Sequence, residues 1–408
     1  MTGPLTHIRV LDLSRVLAGP WASQLLADLG AEVIKIERPG VGDDTRSWGP
    51  PFLKDETGEE TGEAAYYLAT NRAKKSVAVD FSTPEGGDLI RRLAKVSDVV
   101  LENFKVGGLA RHGLAYKDLA AINPGLIYCS ITGFGQTGPL RNRPGYDFIV
   151  QAMGGLMSIT GERDDRPGGG PQKVGVAVAD LFTGMYAGVG ILAALAHRTR
   201  TGEGQHIDLA LLDCLVASLA TQNMNYFVSG RVPERRGNAH ANIVPYQVFE
   251  SADGHLVIGV GNDGQFRRFC EASGLADLAE DARFATNAAR VDNRDELIER
   301  IVPIIAARTS AHWIELFDQV RVPCGPVNRL DEVFAEPQVR HRGLHRQFPH
   351  PLSGTVDQVV SPLKFSQTPC EFEWPPPLLG QHTDGVLGEL LGLDGEELAR
   401  LRAAQVIG

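Results

Sequence analysis

Strand-like and helix-like segments alternate along the first 135 residues, and this alternation constrains the fold more than any other feature of the sequence. The strand-like runs are IRVLDL (8–13), AEVIKIE (31–37), KSVAVDF (75–81), DVVLENF (98–104) and LIYCSITGF (126–134). Helical patterns lie between them, at 22–29 and after Thr83, which is a typical N-cap residue and is followed by a proline. This spacing predicts right-handed crossovers and a mostly parallel sheet, with functional residues at the carboxyl ends of its strands.

The remaining sequence predicts a second domain inserted into the first. Residues 1–200 are expected to form the N-terminal part of a large domain, and 201–228 to form linker helices. A different unit begins near GHLVIGVG, so we assign 229–322 to a small domain. Residues 323–408 are expected to be a return linker and the C-terminal part of the large domain. The expected fold class is therefore α/β.

The segment GHLVIGVGNDGQF (254–266) contains the pattern G-x-G-x-x-G at Gly259, Gly261 and Gly264. A strand-like run precedes these glycines and a helical run follows, as in dinucleotide-binding proteins. That site also needs a second parallel strand that ends in an acidic residue about 20 residues further on. The following sequence has no β-branched run of four or more residues before Ile301. We therefore expect these glycines to have another purpose, such as letting backbone N–H groups approach a ligand.

Charge and composition disfavour several classes of partner. A formal net charge of -10 argues against nucleic-acid binding, which usually needs a basic face. The five cysteines form no C-x-x-C pair, and only His341 and His345 have a ligand-like spacing, in a segment typical of an exposed loop. We therefore expect neither a metal site nor a disulfide framework. The N-terminus lacks the features of a signal peptide, and the longest apolar run, 185–196, is too short to span a bilayer. We expect a cytoplasmic protein without a membrane partner.

Two clusters near the N-terminus have the residue types that bind phosphate groups. The turn LAGP follows the first strand, where N–H groups at a helix N-terminus form a natural anion site. Arg38 and Arg46 follow the second strand and could bind a phosphate with two hydrogen bonds each. Surface arginines on a solvated loop are the alternative interpretation.

Two further clusters flank the third and fourth strands. The charge run NRAKK (71–75) is typical of a solvated face, and we favour that interpretation. In ENFKVGGLARHG, Asn103 and Phe104 end a strand and Arg111 follows seven residues after Phe104. An aromatic ring and an amide at a strand end could frame a purine and its ribose.

Asp180 is the strongest candidate for a nucleophile. It follows a run of small residues and is predicted to open a long apolar helix, so a purely structural N-cap is the alternative. An acid at that place is also an accessible carboxylate, which the helix dipole would keep ionised for nucleophilic attack. The sequence contains no G-x-S-x-G, no Walker loop and no H-E-x-x-H to compete with it.

These clusters, in this order, resemble the class III coenzyme A transferases, the family of formyl-CoA transferase and carnitine-CoA transferase. The resemblance covers nearly the whole chain and rests on LAGP, VIKIERPGxGDDTR, ENF, ITGFGQTGP, GYDFIVQA and VGVAVADLFTGMYA. The stretches RSWGPPF, NAHANIVPYQVF and FAEPQV are similar to members that use succinyl-CoA and glutarate. The resemblance implies a Rossmann-like large domain, a smaller α/β domain and an interlocked homodimer.

The resemblance also implies a role for each matching position. Asp180 falls on the catalytic aspartate of the family. The positions that contact coenzyme A are matched by Val16, Leu17, Arg38, Val79, Asp80, Phe81, Ser82, Asn103, Phe104 and Arg111. Gly259 and Gly261 fall in a glycine loop that would close over the active carboxylate and supply oxyanion donors. The surroundings of the acyl group are matched by Tyr146, Asp147, His240, Asn242 and Tyr246.

The implied reaction is transfer of coenzyme A from an acyl-CoA, with succinyl-CoA as the expected donor, to a carboxylic acid. It would pass through an aspartyl anhydride and an aspartyl-CoA thioester, with no permanently bound cofactor. The expected acceptor is a dicarboxylate of four to six carbons such as glutarate. Formyl-CoA:oxalate enzymes carry Gln where this chain has Leu17, which disfavours oxalate.

Two alternatives remain at this point. The α-methylacyl-CoA racemases share the family fold but need a His and an Asp as the two bases. They carry G-H-D where this chain has Gly145-Tyr146-Asp147, and tyrosine is a poor base at neutral pH. An idle acyl-CoA binder is the second alternative, and the presence of Asp180 beside the coenzyme A candidates speaks against it.

Overall fold

The structure, a computed structural model, describes residues 3–370 and 374–408. The first two residues of the domain expected over 1–200, and residues 371–373 of the part expected over 323–408, lie outside that description. The chain divides into two units. The larger unit contains the described residues up to Leu156, then Val174–Met224 and Gln338–Gly408, and the smaller contains Met157–Lys173 and Asn225–Pro337.

The strands and helices of the described residues are numbered in chain order. The strands are β1 (Arg9–Asp12), β2 (Glu32–Glu37), β3 (Phe52–Lys54), β4 (Glu60–Ala64), β5 (Lys74–Ala78), β6 (Val99–Glu102), β7 (Ile127–Thr132), β8 (Gln205–Ala210), β9 (Tyr246–Glu250), β10 (His255–Gly259), β11 (Cys324–Pro326), β12 (His345–His350) and β13 (Gly354–Val359). The helices are α1 (Ala18–Asp28), α2 (Ala65–Leu68), α3 (Pro84–Lys95), α4 (Tyr116–Ala120), α5 (Asp147–Met153), α6 (Leu156–Ile159), α7 (Val178–Thr201), α8 (Leu211–Ser218), α9 (Thr221–Ser229), α10 (Asp263–Ala272), α11 (Ala276–Glu280), α12 (Asn287–Asp292), α13 (Arg294–Ala306), α14 (Ser310–Gln319), α15 (Leu330–Ala335), α16 (Pro337–His341), α17 (Thr383–Leu391) and α18 (Gly395–Ala403).

A six-stranded parallel sheet with the order β5-β2-β1-β6-β7-β8 forms the centre of the larger unit. The prediction of an α/β fold with a mostly parallel sheet is confirmed. This order is that of doubly wound nucleotide-binding folds, in which the direction of chain progress reverses between β1 and β6. Ligands of such sheets bind outside the carboxyl ends of the strands, where the order reverses.

The strand-like runs of the sequence are apolar because both faces of the sheet are covered. Val10 of β1 packs into a core shared with α1 and α7 on one face. Its neighbour Leu11 packs into a second core on the other face, shared with α3, α17 and α18. Strands buried on both faces become continuous apolar segments, which is why the sequence pattern located them. Thr83 caps α3 as expected, since its side chain accepts a hydrogen bond from Gly86 N–H.

Strand β8 is a correction to the sequence interpretation, which assigned 201–228 to linker helices. The chain instead forms β8 at the edge of the sheet, beside β7, and then α8 and α9. The sequence QHIDLA alternates polar and apolar residues because much of this strand is exposed. An edge strand therefore lacks the buried run that marked the other strands.

Helix α7 is longer than the apolar run that the sequence analysis considered. By length and composition alone, Val178–Thr201 is apolar enough to cross a membrane. Core helices of soluble proteins have the same property. Part of α7, including Ala187 and Ile191, packs with α1 in the core of the larger unit.

The smaller unit contains an antiparallel sheet of β9, β10 and β11. Helices α10, α13 and α14 cover it with an apolar core that includes Phe266, Ile301 and Phe317. Gly259 ends β10, Gly261 lies in the connection and Gly264 is in the first turn of α10, so a strand and a helix flank the pattern as expected. Because β10 has only antiparallel partners among the described strands, this pattern is not a Rossmann dinucleotide fingerprint.

Candidate active site

Most of the expected coenzyme A positions lie at one edge of the parallel sheet. Val16 and Leu17 follow β1, Arg38 follows β2, and Phe81 lies just past β5. Asn103 and Phe104 follow β6. Since carboxyl ends of parallel strands meet at the same edge, the fold brings these separate motifs together at the reversal between β1 and β6.

Hydrogen bonds and ring contacts connect the loops after β1, β5 and β6. The Asn103 amide accepts from Arg15 N–H at 2.8 Å and donates to the Arg15 carbonyl at 2.6 Å. The Arg15 guanidinium lies 5.0 Å from the centre of the Phe104 ring. Phe81 meets Phe104 edge-to-face at 5.7 Å. Asn103 therefore holds the turn after β1 in the structure, a role different from the ribose contact that its sequence position suggested.

Four other expected contact residues have partners within the chain. Val79 is buried in the core that includes Leu11, and its N–H donates to the Glu37 carbonyl. The Asp80 carboxylate accepts from the N–H and hydroxyl of Ser82. The exposed Arg111 donates to His112 Nε2 at 2.9 Å.

Arg38 and Arg46 differ sharply in their surroundings. Arg38 is exposed and its side chain has no ion pair among the described residues, so it is available to a phosphate. Arg46 is buried, binds both carboxylate oxygens of Glu37 at 2.7 and 2.9 Å, and donates to the Pro377 carbonyl. Its suggested role as a phosphate ligand is wrong, because internal acceptors already use its donors.

The interpretation of NRAKK as a solvated face is also wrong. Arg72 and Lys74 are buried, and each pairs with a carboxylate of another element. Arg72 binds Asp28 of α1, and Lys74 binds Asp12 of β1 at 3.3 Å. A charge run alone does not reveal acidic partners that are distant in sequence.

Asp180 lies in the first turn of α7. The N-cap position is Ala177, so the expectation that Asp180 itself caps the helix is wrong. Asp147 performs that task, because its Oδ1 accepts from Ala179 N–H at 2.7 Å and from Asp180 N–H at 3.4 Å. The Asp180 side chain is partly buried and makes no hydrogen bond among the described residues.

The charge state of Asp180 differs from the sequence expectation. Burial, followed by the negative charge of Asp147, raises the pKa of the Asp180 carboxyl to about 7. The helix dipole does not keep the group ionised against these two effects. A carboxyl with no hydrogen-bond partner and a raised pKa is typical of a catalytic position.

Tyr66 is a site residue that the sequence analysis missed. Burial and the charges of Asp180, Asp147 and Asp43 raise the pKa of its phenol. Trp48 packs edge-to-face on Tyr66 with ring centres 5.1 Å apart. No motif marks Tyr66, since it lies on the four-residue helix α2 and comes near Asp180 only through the fold. Its phenol is a hydrogen-bond donor whose pKa the charge of the candidate nucleophile helps to raise.

Helices α1 and α7 contact each other near their N-terminal ends. A β-carbon added at Gly184 would lie 2.7 Å from the Ala18 carbonyl oxygen and 2.9 Å from Trp21. The turn that carries Val16 and Leu17 and the turn that carries Asp180 are therefore at the same end of this helix pair. In addition, Asp43 accepts a hydrogen bond from Val16 N–H. The charges of Asp43 and Asp180 both contribute to the raised pKa of Tyr66.

The glycine loop lies in the smaller unit, where its N–H groups have partners. Gly259 N–H donates to the Pro323 carbonyl at 2.9 Å, and Gly261 N–H donates to Gln265 Oε1 at 2.7 Å. In this arrangement neither N–H is free for an oxyanion, so that role stays a prediction. Gly261 N–H would become available if the Gln265 side chain turned away.

The other residues expected near the acyl group lie in both units. Tyr146 is exposed at the N-cap position of α5 in the larger unit, directly before Asp147. In the smaller unit His240 packs against Tyr246 with ring centres 5.3 Å apart, and its Nδ1 accepts from Asn242 N–H. Over residues 3–370 and 374–408, no cluster of three or more His, Cys, Asp or Glu side chains is arranged to hold a metal ion.

The family model for CoA-transferase family III matches residues 5–383. A succinate–glutarate CoA-transferase of Agrobacterium fabrum is 54% identical over 387 residues, which is 95% of this chain and 96% of that protein. A human succinyl-CoA:glutarate CoA-transferase is 45% identical and covers 99% of this chain, with 90% of its own length aligned. The crystal structure of a CAIB/BAIF family protein from Brucella suis superposes with a TM-score of 0.84 at 48% identity, covering 96% of this chain and 100% of that one. The chain belongs to CoA-transferase family III.

Proposed function

We propose that this chain transfers coenzyme A from succinyl-CoA to glutarate, with Asp180 as the nucleophile. The observation that carries the proposal is the place of the Asp180 carboxylate, unpartnered among the described residues, at the N-terminal end of the α1–α7 pair. The turn after β1 lies at that same end, beside the reversal of strand order. The names of the relatives from Agrobacterium fabrum and human support the choice of donor and acceptor.

The first half of the reaction moves coenzyme A onto the protein. The ionised Asp180 oxygen attacks the thioester carbon of succinyl-CoA, a C–O bond forms and the C–S bond breaks. The products are a mixed succinyl–aspartyl anhydride and a coenzyme A thiolate. The thiolate then attacks the Asp180 carbonyl carbon, which releases succinate and leaves an aspartyl-CoA thioester.

The second half repeats these steps in reverse with the acceptor. A glutarate carboxylate attacks the aspartyl-CoA thioester, which gives a glutaryl–aspartyl anhydride and the thiolate again. Thiolate attack on the glutaryl carbon forms glutaryl-CoA and restores the Asp180 carboxylate. Every step exchanges one acyl bond for another, so the balance requires neither water nor a redox partner. Binding of the nucleotide part must keep the thiolate close, because anhydride formation from a thioester is uphill.

The carboxyl edge of the sheet is the proposed coenzyme A site. Arg38 is exposed there as a free cation for a phosphate, and the first turn of α1 presents N–H groups. Phe81 and Phe104 provide aromatic surface beside these donors. Tyr66 donates a hydrogen bond to the reacting carboxyl group or to the acyl oxygen, since its phenol lies in the field of Asp180.

The proposed assembly is a homodimer in a cytoplasmic setting. Helices α5 and α7 expose large apolar side chains, including Phe148, Phe182, Met185 and Val189. An exposed apolar area of this kind is typical of a protein–protein interface or a membrane contact. The resemblance to the family favours an interface between two interlocked copies.

The direct test is incubation of the purified protein with succinyl-CoA and, separately, glutarate, malate, citramalate, itaconate or oxalate. Mass spectrometry of the acyl-CoA products is expected to show glutaryl-CoA formed faster than the others. Without an acceptor, the peptide that contains Asp180 is expected to gain the mass of bound coenzyme A. The Asp180→Ala variant is expected to lose transfer to below about 1% while its affinity for coenzyme A changes by no more than a few-fold.

Three other results would change the proposal. Preferred transfer to another acid would keep the reaction and replace the acceptor. Turnover of Asp180→Ala above about 1% of wild type would remove Asp180 from the nucleophile role. Absence of transfer to every acid, with deuterium exchange at the α-carbon of a 2-methylacyl-CoA, would favour the racemase alternative.

A further inference from the structure

The turn from Ser14 to Leu17 contains a strained residue. Val16 has a φ of +71°, in the left-handed region that a β-branched side chain rarely adopts. Gly19 of α1 packs closely against this turn, because a β-carbon there would lie 2.2 Å from the Ser14 side chain. Such strain persists only where the surroundings hold the backbone, and it is common at ligand sites.

Polar side chains from other elements bind backbone groups of Ser14, Arg15 and Val16. Ser14 N–H donates to Asp12 Oδ1 at 2.9 Å, and the Ser14 carbonyl accepts from Lys35 Nζ at 3.0 Å. The Asn103 amide binds both backbone groups of Arg15. Val16 N–H donates to Asp43 Oδ1 at 3.2 Å. The N–H groups of Leu17, Ala18 and Gly19 have no such partner among the described residues, as is usual for the first N–H groups of a helix.

Two of the residues that bind this turn, Lys35 and Asp43, also form an ion pair with each other. Their charged groups are 2.8 Å apart, and both side chains are fully buried. Thr45 also donates to Asp43 from its N–H and its hydroxyl. Although burial opposes the charged form, Lys35 and Thr45 lower the pKa of Asp43 to about 2. Burial likewise opposes the Lys35 charge, but Asp43, Asp12 and Glu37 raise its pKa.

A buried ion pair is a poor source of net stability, because removing two charges from water costs about what their attraction returns. The Lys35–Asp43 pair therefore needs another explanation. It binds the Ser14 carbonyl, two residues before Val16, and the N–H of Val16 itself, so both contacts fix the backbone that enters the strained position. This placement suits a pair that fixes the backbone conformation of the turn.

We propose that Lys35 and Asp43 are positioning residues, which hold Val16 in its strained form so that the turn after β1 presents the first N–H groups of α1 to coenzyme A. The inference rests on the proposed function, since it assumes that this turn binds coenzyme A. Neither residue is proposed to touch the ligand, because both side chains are fully buried.

The test is titration calorimetry of free coenzyme A with the full-length protein. Lys35→Met is expected to raise the Kd about tenfold, since release of a strained backbone corresponds to a change of that order. Its kcat at saturating succinyl-CoA is expected to stay within about threefold of wild type, because Asp180 is unchanged. Arg72→Met is the matched control: it removes another buried ion pair of the larger unit, and its Kd is expected to stay within about twofold.

A second background separates positioning from general destabilisation. Val16→Gly removes the steric strain, because glycine adopts positive φ freely. In a Val16→Gly background, the effect of Lys35→Met on the Kd is expected to fall from about tenfold to about threefold or less. An unchanged effect in both backgrounds would overturn the positioning role, because a purely structural loss does not depend on the strain at Val16.

Asp43→Asn serves where Lys35→Met does not fold, since it keeps an oxygen for Val16 N–H and removes the charge. Its expected Kd is at least about threefold above wild type, with a smaller rise in the Val16→Gly background. Wild-type affinity in both folded variants would overturn the inference and leave the proposed function intact. Absence of coenzyme A binding by the wild type would instead overturn the proposed function.

Discussion

The Asp180 carboxyl group predicts a pH dependence of catalysis. Its pKa is raised to about 7 by burial and by Asp147, and only the ionised form is a nucleophile. We expect kcat/KM for succinyl-CoA to fall about tenfold per pH unit below about pH 7, since this quantity reports ionisations of the free enzyme. Asp147→Asn removes one of the two causes of the raised Asp180 pKa. It is therefore expected to move the acidic limb of the pH profile to lower pH by about half a unit or more.

The matched control for this profile is Asp213→Asn. Asp213 is an exposed acid in the first turn of the neighbouring helix α8, and it is not among the causes of the Asp180 shift. Its limb is expected to coincide with that of the wild type. Identical limbs for Asp147→Asn and wild type would contradict the assigned role of the Asp147 charge.

The same ionisation also predicts a cost in stability. The folded pKa of Asp180 lies above the ordinary value of 3.8, so the folded chain binds a proton that the unfolded chain releases. The stability that this group contributes is complete below about pH 4 and is lost as the pH rises through about 7. We expect Asp180→Asn to be more stable than wild type by about 1–3 kcal/mol at pH 8. Urea denaturation is expected to show this gap shrinking as the pH falls to 5, and a gap independent of pH would contradict it.

At this scale the sequence located acids and bases but not their partners. The motif alone identified Asp180 as the nucleophile candidate, because small residues precede an apolar helix. Arg46 was wrongly predicted to bind phosphate, and Lys74 was wrongly predicted to be solvated. Their carboxylate partners come from other elements and are not visible in the local sequence. Tyr66 carries no local signal, and only the packing of α2 brings it into the field of Asp180.

Among the secondary-structure elements, the contact between α1 and α7 sets the distance between the turn that carries Val16 and Leu17 and the turn that carries Asp180. Gly184→Ala places a methyl group against the backbone of Ala18, so we expect a loss of about 1–3 kcal/mol in the free energy of unfolding. Gly190→Ala in the same helix meets Ile207 at 3.6 Å, an ordinary contact, and gains helix propensity of up to about 1 kcal/mol. Urea denaturation of the two variants is expected to give opposite signs. A loss of equal size in both would show that close packing at Gly184 is not the cause.

The predictability of each element follows from its burial. Strands β1, β2, β5, β6 and β7 were located by their apolar runs because helices cover both faces of the sheet. Strand β8 was missed because an exposed edge strand carries polar residues such as His206 and Asp208. The order of the strands could not be derived from local pattern, since it depends on pairings between residues as distant as Val10 and Val99.

The whole molecule presents an apolar area that one copy of the larger unit does not cover. Val189 of α7 is 62% exposed, and Phe182, Met185 and Tyr186 on the same helix are also exposed. The length and composition of α7 would suit a bilayer as well, so light scattering must distinguish a second copy from lipid. We expect the protein to stay in solution without detergent and to elute at twice the 44.1 kDa of one chain.

One substitution on this area tests the assembly. Val189→Asp sets a charge among the apolar side chains of α7 and is expected to shift the protein toward a single chain or toward aggregates. Ile122→Asp, at an exposed apolar position outside α5 and α7, is expected to keep the wild-type mass. If the two copies are interlocked, folded dimers with and without a tag should not exchange chains over a day, because separation then requires unfolding. Rapid exchange would exclude interlocking but keep the dimer, and a wild-type mass of one chain would exclude both.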